Sequence, residues 1–188
     1  IAAVDRFQKS ATGEALKGAM ARRGLMGLAF WHNGMKQLSA NRPLIKPSDA
    51  HGLKFRVQSS DVLVAQFKTL GANPQKMSFK EVYGGLQTQV IDGQENTWSN
   101  IYGKKFFEVQ DGITETNHGV IDYLVVTSTD WWSSLEKNVR AQLLAIIEDV
   151  SGERNQESHR INLQNRQNII DSGGVIRVLT SEQRLEWV

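Results

Sequence analysis

Arg56 asks for more chemistry than any other residue in this chain. It lies at the end of the apolar run Leu53-Lys54-Phe55-Arg56-Val57, and a guanidinium at the end of a buried strand needs an anionic partner. Its planar fork of donors matches a carboxylate bidentately. Further on, Asn96 closes an acid-amide turn, Asp92-Gly93-Gln94-Glu95-Asn96, and the stretch between the two holds no obvious acidic mate. One reading takes the partner from solution and makes Arg56 a ligand anchor. The other is a structural salt bridge to Glu81, Asp92 or Glu95. The residues alone leave both open.

Lys36, Ser78-Phe79 and Asn96 join Arg56 because each follows a predicted strand or short extended run. In open α/β sheets, ligands sit beyond the carboxyl ends of the strands, near helix N-termini. If the strands are parallel, all four positions face one edge of the sheet and supply two cations, an aromatic face and an amide. That set suits a small anion with hydroxyl or carbonyl groups and contains no nucleophile, so binding without turnover is the simplest reading. The familiar enzyme signatures fail: there is no G-x-S-x-G elbow, Walker loop, G-x-G-x-x-G or H-E-x-x-H. His32, His51, His118 and His159 lack metal-like spacing. Asp92 and Glu95 beside glycine read as turn and helix-start residues more readily than as a catalytic pair. Trp131 and Trp132 read as packing beneath a helix. No metal or cofactor is expected.

The elements that position these residues follow from periodicity and caps. Residues 2–22 read as one helix stopped by Arg23-Gly24. Gly24 to Trp31 reads as a buried strand, and residues 41–52, with Pro43 and Pro47, as a surface connection. Leu53 to Val57 is the next strand, after which Ser59-Ser60-Asp61 caps a helix through about Leu70. Gly71-Ala72-Asn73-Pro74 is a turn, Gln75 to Ser78 a short strand, and Ser78 with Glu81 a capping box for a helix to about Val90. This order is the signature of a mostly parallel sheet with helical crossovers. Asn96 to Lys105 reads as a short helix, and Ile113 to Thr127 as two extended runs broken at Asn117-His118-Gly119. Ser128-Thr129-Asp130 caps a helix carrying Trp131 and Trp132. Glu136 to Asp171 reads as a single helix roughly 50 Å long at 1.5 Å per residue, stopped by Ser172-Gly173-Gly174. Val175 to Leu179 is a last strand, with a helix capped by Ser181 behind it.

Bulk properties set the outer limits. The chain has 188 residues, 40% of them apolar, and a net charge of +2 from 22 basic and 20 acidic side chains. That length and composition suffice for a real core. The charges of both signs are interspersed, so there is no basic stripe for nucleic acid. Cysteine is absent. No apolar run approaches the roughly 20 residues of a membrane span. The helical pattern is already under way at Ala2, Val4 and Phe7, so the sequence reads as a piece of something longer.

A family resemblance rests on motifs in order. They are Gly27-Leu28-Ala29-Phe30-Trp31-His32-Asn33-Gly34, Gly52-Leu53-Lys54-Phe55-Arg56-Val57, Leu70-Gly71-Ala72-Asn73-Pro74 and Phe79-Lys80-Glu81-Val82-Tyr83. After them come Val90-Ile91-Asp92-Gly93-Gln94-Glu95-Asn96, Ser99-Asn100-Ile101-Tyr102 and Lys104-Lys105-Phe106-Phe107-Glu108-Val109-Gln110. This resembles the periplasmic solute-binding proteins of tripartite ATP-independent (TRAP) transporters, most closely their C4-dicarboxylate branch. The likeness is specific over residues 24–127 and mainly a pattern of helices after 136.

The resemblance implies an α/β, two-lobed, periplasmic-binding-protein-like (type II) fold that closes on its ligand, with one long helix spanning both lobes. It places residues 1–33 and 122–161 in the first lobe, and 34–121 and 162–188 in the second. It also implies that the family's N-terminal signal, first βα units and last helices lie outside this sequence. On that mapping Arg56 is the arginine that pairs with the ligand carboxylate, Asn96 its amide partner, and Phe79 an aromatic wall. His118 falls where some members place a polar residue near the site. Lys36 stands where many members have a second arginine, and a lysine is a point charge without a fork. Trp98 replaces a common proline-leucine pair, as in the dicarboxylate branch. The implied function is extracytoplasmic capture of malate, succinate or fumarate in the periplasm and delivery to TRAP permease subunits, with no reaction catalysed. The alternatives are a fragment without independent binding, or an enzyme such as a lyase using His118 as base on a small carboxylate.

Overall fold

A computed structural model describes residues 2–187. The helices α1 (Ala2–Gln8) and α2 (Ala11–Ala19) lead into the long strand β1 (Leu25–Ala40). Then follow β2 (Lys54–Val57), α3 (Asp61–Thr69), β3 (Asn73–Lys76), α4 (Val82–Gln87), β4 (Gly93–Thr97), α5 (Trp98–Gly103) and β5 (Gly112–Glu115). The chain continues through β6 (Val120–Ser128), α6 (Thr129–Ser134), α7 (Lys137–Asp171), β7 (Ile176–Val178) and α8 (Ser181–Glu186).

Strand order is β3-β2-β4-β1-β5-β7, with β6 paired to β1. The β2–β3, β2–β4 and β5–β7 pairs are parallel, but β1 runs antiparallel to both β4 and β5. The expected parallel sheet therefore holds on the flanks and fails at the centre. Parallel neighbours need a crossover. β1 and β2, joined by a loop with one 3₁₀ turn, are not neighbours at all, because β4 inserts between them.

Two further expectations are corrected. Residues 2–22 are not one helix. Ser10 breaks it, donating its hydroxyl to the Phe7 carbonyl at 2.6 Å and capping α2 through the Gly13 amide. Gly13 sits so close to the end of α1 that a Cβ there would lie 2.3 Å from the Gln8 carbonyl oxygen. Residues 93–97 are not a turn. They form the fully buried strand β4, whose polar side chains Gln94, Glu95 and Asn96 conceal it from any search for alternating apolar residues.

The chain divides into two compact units. The first holds residues up to Gly34 and Ile121–Ile161; the second holds Met35–Val120 and the residues from Asn162 on. In the first, His32 Nδ1 lies 2.9 Å from Asp122 Oδ1, and Gln8 donates to the other oxygen of the same carboxylate. Trp31 donates to Ser151 at 2.8 Å, and Asn155 bridges the Phe30 carbonyl and the His32 amide. The α7 polar groups thus satisfy the exposed backbone of β1.

In the second unit the sheet buries both faces. Leu38, Ala40, Phe55 and Val57 pack on Phe67 of α3, with the Phe55 and Phe67 rings 5.0 Å apart. Ile113 packs with Val82, Leu86, Trp98, Ile101 and Phe106, and with Ile169 of α7. Each such apolar side chain contributes about 1.5–3 kcal/mol on burial. These two layers hold rigid the strand ends where the candidate residues sit.

Candidate functional site

Register decides which side chains share a face. Arg56 is opposite Gln94 in the parallel β2–β4 pair, and Gln37 is opposite Asn96 in the antiparallel β1–β4 pair. With period-2 alternation, Arg56, Gln94, Asn96 and Gln37 share the face covered by α4 and α5. Lys36, Leu38 and Glu95 fall on the other face, under α3. The sheet thus sorts the five candidates into two clusters rather than one.

The first cluster centres on Arg56, which is 3% exposed. Its Nε donates to the Met77 carbonyl at 2.9 Å, while its Nη1 is buried and finds no partner. The guanidinium carbon stands 5.9 Å from the centroid of the Phe79 ring, which Phe106 meets edge-on at 5.8 Å. No carboxylate among the described residues comes within ion-pair distance of it. Glu81 instead caps its own helix at Ser78, Asp92 accepts the Lys54 amide at 2.7 Å, and Glu95 pairs with Lys36. Burial pulls the Arg56 guanidinium below its ordinary value, and the charge of Glu95 partly offsets this.

In front of Arg56 lies an open crevice of about 370 Å³, lined also by Gln58, Ser59, Lys76, Met77 and Ser78. It occupies the carboxyl ends of the parallel strands β2 and β3, where the chain turns into α3 and toward α4. That is where an open α/β sheet binds small ligands. No lining residue carries a carboxylate, a thiol or an imidazole. Asn96, buried at the end of β4, uses its Oδ1 to accept from Asn100 Nδ2 at 2.7 Å and from the Thr97 amide at 3.1 Å. Among the described residues no bond from its own Nδ2 is present, so an amide donor remains on the Arg56 face.

The second cluster is an internal charge network. Lys36 Nζ lies 2.6 Å from Glu95 Oε2, and His118 Nε2 lies 3.5 Å from the same oxygen. The Lys36–Glu95 contact is an ion pair, and neither Glu95 carboxylate oxygen accepts a hydrogen bond among the described residues. Thr116 Oγ1 holds His118 Nδ1 at 2.7 Å. Antiparallel β1 still brings Lys36 to the carboxyl end of β4, opposite Thr97. Its charge, however, is already spent on Glu95.

Sequence reasoning missed three features of the site. The Met77 carbonyl that orients Arg56 has no sequence signal. Gln58, Ser59 and Lys76 line the crevice, and the cap Ser59-Ser60-Asp61 straight after a strand could have pointed to them. Lys104, 5.7 Å from the Phe79 centroid, was visible only as part of a motif. Trp98 is buried with the Arg166 guanidinium 5.6 Å from its ring, and Arg166 is in turn held by Glu115 at 2.8 Å.

The family profile described as DctP, bacterial extracellular solute-binding protein, family 7, matches residues 1–188. The chain belongs to this family. A C4-dicarboxylate-binding periplasmic protein DctP of Vibrio cholerae is 68% identical over 186 residues, 99% of this chain and 56% of that relative. Among solved structures, a TRAP periplasmic solute-binding protein of Shewanella oneidensis with bound succinate superposes with a TM-score of 0.95 at 49% identity, covering 98% of this chain and 61% of that one. One of Pseudomonas aeruginosa with bound L-malate gives 0.95 at 41% identity, covering 98% and 65%. This family 7 chain thus spans somewhat more than half the length of the relatives it matches, and its α/β architecture is theirs. Family members are solute-binding components of transporters. Among the described residues no helix is long and apolar enough to cross a membrane.

Proposed function

We propose that this chain is the ligand-capturing part of a TRAP transporter's periplasmic solute-binding protein. It takes a C4-dicarboxylate such as malate, succinate or fumarate through Arg56, passes it to the membrane permease, and catalyses no reaction on it. The observation that carries this is the Arg56 headgroup: buried, oriented by Met77, without an internal counter-ion, and facing a crevice with no group that titrates near neutrality. A buried charge left without a counter-ion costs several kcal/mol, a cost that an arriving carboxylate removes. The succinate and malate bound by the two solved relatives support the same ligand class.

Asn96 is the amide partner of the carboxylate in this reading, and Phe79 the wall that excludes water from it. Lys36 and His118 act one layer back, fixing Glu95 at the end of β4. Micromolar affinity requires about −8 kcal/mol, and losing one partner of a desolvated charge pair costs about 3–5 kcal/mol. Arg56→Ala is therefore expected to abolish measurable binding of succinate, malate and fumarate in calorimetry on the full-length protein. Arg56→Lys keeps the charge but loses both the fork and the Nε bond to Met77, and is expected to fail nearly as badly. Wild-type affinity in either variant would refute the anchor role.

A further inference from the structure

We infer that α7 is a positioning element of the binding site: through Asn162 and Arg166 it holds the short helix α5 where Asn100 keeps the Asn96 amide turned to the ligand. The inference rests on the reading of Asn96 as the amide partner of the bound carboxylate. Asn96 uses its Oδ1 twice, accepting from the Thr97 amide at 3.1 Å and from Asn100 Nδ2 at 2.7 Å. A backbone N–H can only donate, so it fixes which end of the Asn96 side chain is the oxygen. The Nδ2 end is thereby left as a donor for the ligand. Both bonds come from the start of α5.

α5 does not hold itself. It has six residues, well short of the roughly 12–15 at which an isolated helix becomes even marginal. Its N-cap Thr97 makes no side-chain bond to the first amides of the helix, and its Oγ1 lies instead 3.3 Å from Ser99 Oγ. The acceptor for the Ser99 amide comes from α7: it is Asn162 Oδ1, at 3.1 Å, on a buried side chain. One turn further along α7, Arg166 places its guanidinium over the Trp98 ring, 5.6 Å from the centroid, and Glu115 of β5 holds Arg166 at 2.8 Å. Asn162 and Arg166 are four residues apart and so share one face of α7. That face holds two successive residues of α5, Trp98 and Ser99. Asn100, which binds Asn96, is the next one along.

Packing alone does not require these two residues. Ile169 already ties α7 to this layer, fully buried among Val82, Leu86, Ile101 and Ile113. A polar contact costs desolvation that an apolar one of the same shape avoids. What it adds is direction. The hydrogen bond to Ser99 and the cation over Trp98 fix the axial position and rotation of α5, which apolar packing leaves looser. Hydrogen bonds weaken steeply with misalignment, so a small shift of α5 costs the Asn96 bond to a ligand while the core stays intact.

Double-mutant cycles in succinate calorimetry on the full-length protein test this. Asn96→Ala is expected to weaken succinate about ten- to a hundredfold, the size of one hydrogen bond to a charged group. Asn100→Ala, Asn162→Ala and Arg166→Gln are each expected to weaken it about three- to tenfold when Asn96 is present. Each should change it less than about twofold once Asn96 is already alanine. A purely structural role gives the same loss in both backgrounds. Arg166→Gln alters a partly exposed side chain, and carries the α7 arm of the test where Asn162→Ala does not fold. Equal losses in the two backgrounds, or wild-type affinity in Asn100→Ala and Arg166→Gln, overturn the inference; if Arg56→Ala still abolishes binding, only the positioning role falls. Wild-type affinity in Asn96→Ala removes the amide partner and this inference with it. Normal succinate binding by Arg56→Ala brings down the reading of the site itself.

Discussion

Lys36 and Arg56 show how the same charge does different work in two settings. Lys36 meets Glu95 at 2.6 Å inside the molecule, and both are almost fully buried. Arg56 has burial of the same order and no acid opposite it. Lys36→Met is expected to cost about 3–5 kcal/mol of folding stability, because it leaves the Glu95 carboxylate buried without its partner. Adding Glu95→Gln should recover much of that loss; urea unfolding of the two variants checks both. Gly93 carries a different constraint, since a Cβ there would sit 2.6 Å from both the Phe55 ring and the Ser39 carbonyl oxygen. Gly93→Ala is expected to destabilise by about 1–3 kcal/mol through overpacking, with Arg56 itself unchanged. The sequence groups Arg56, Asn96 and Phe79 with Lys36 because each follows a predicted strand or short extended run. It could not separate Lys36 from them, because the sorting depends on register, and register appears only once β1 is known to run against β4.

At the scale of elements, caps were the most legible signals. Ser60 before α3, Ser128 before α6 and the Ser78–Glu81 box all stand where the sequence implies. The break at Ser10 and the strand β4 were not legible. A serine within a helical pattern looks like an ordinary helix residue until its hydroxyl turns back to Phe7. A Gly-Gln-Glu-Asn-Thr strand has no apolar period, and is buried only because Ser39, Lys36 and Asn100 answer its side chains. The Glu81 cap also predicts a pH dependence. The Ser78 hydroxyl and then its amide hold the Glu81 carboxyl below its ordinary value. A carboxyl lowered on folding contributes stability above its unfolded value of about 4.3, and loses it as pH falls through the folded value. Glu81→Gln is therefore expected to flatten the acid limb of the stability profile below about pH 4.5 while leaving the slope near neutrality unchanged. Thermal melts from pH 3 to pH 7 on the two proteins measure this.

For the whole molecule, the chain divides into two units. Every candidate site residue lies in the second, whose sheet is packed on both faces and anchors the strand-to-helix loops that line the Arg56 crevice. The chain spans 56% of its Vibrio cholerae relative, and the account of transport applies to the protein at full length. Native mass spectrometry of that protein is expected to show a co-purified small diacid, lost on Arg56→Ala. The most direct measurement is a crystal structure grown with succinate. The account predicts one carboxylate oxygen within hydrogen-bond reach of Arg56 Nη1, at about 2.7–2.9 Å, with the Asn96 amide on the same group. Succinate bound away from Arg56, or an Arg56 headgroup closed onto an internal carboxylate, would contradict it.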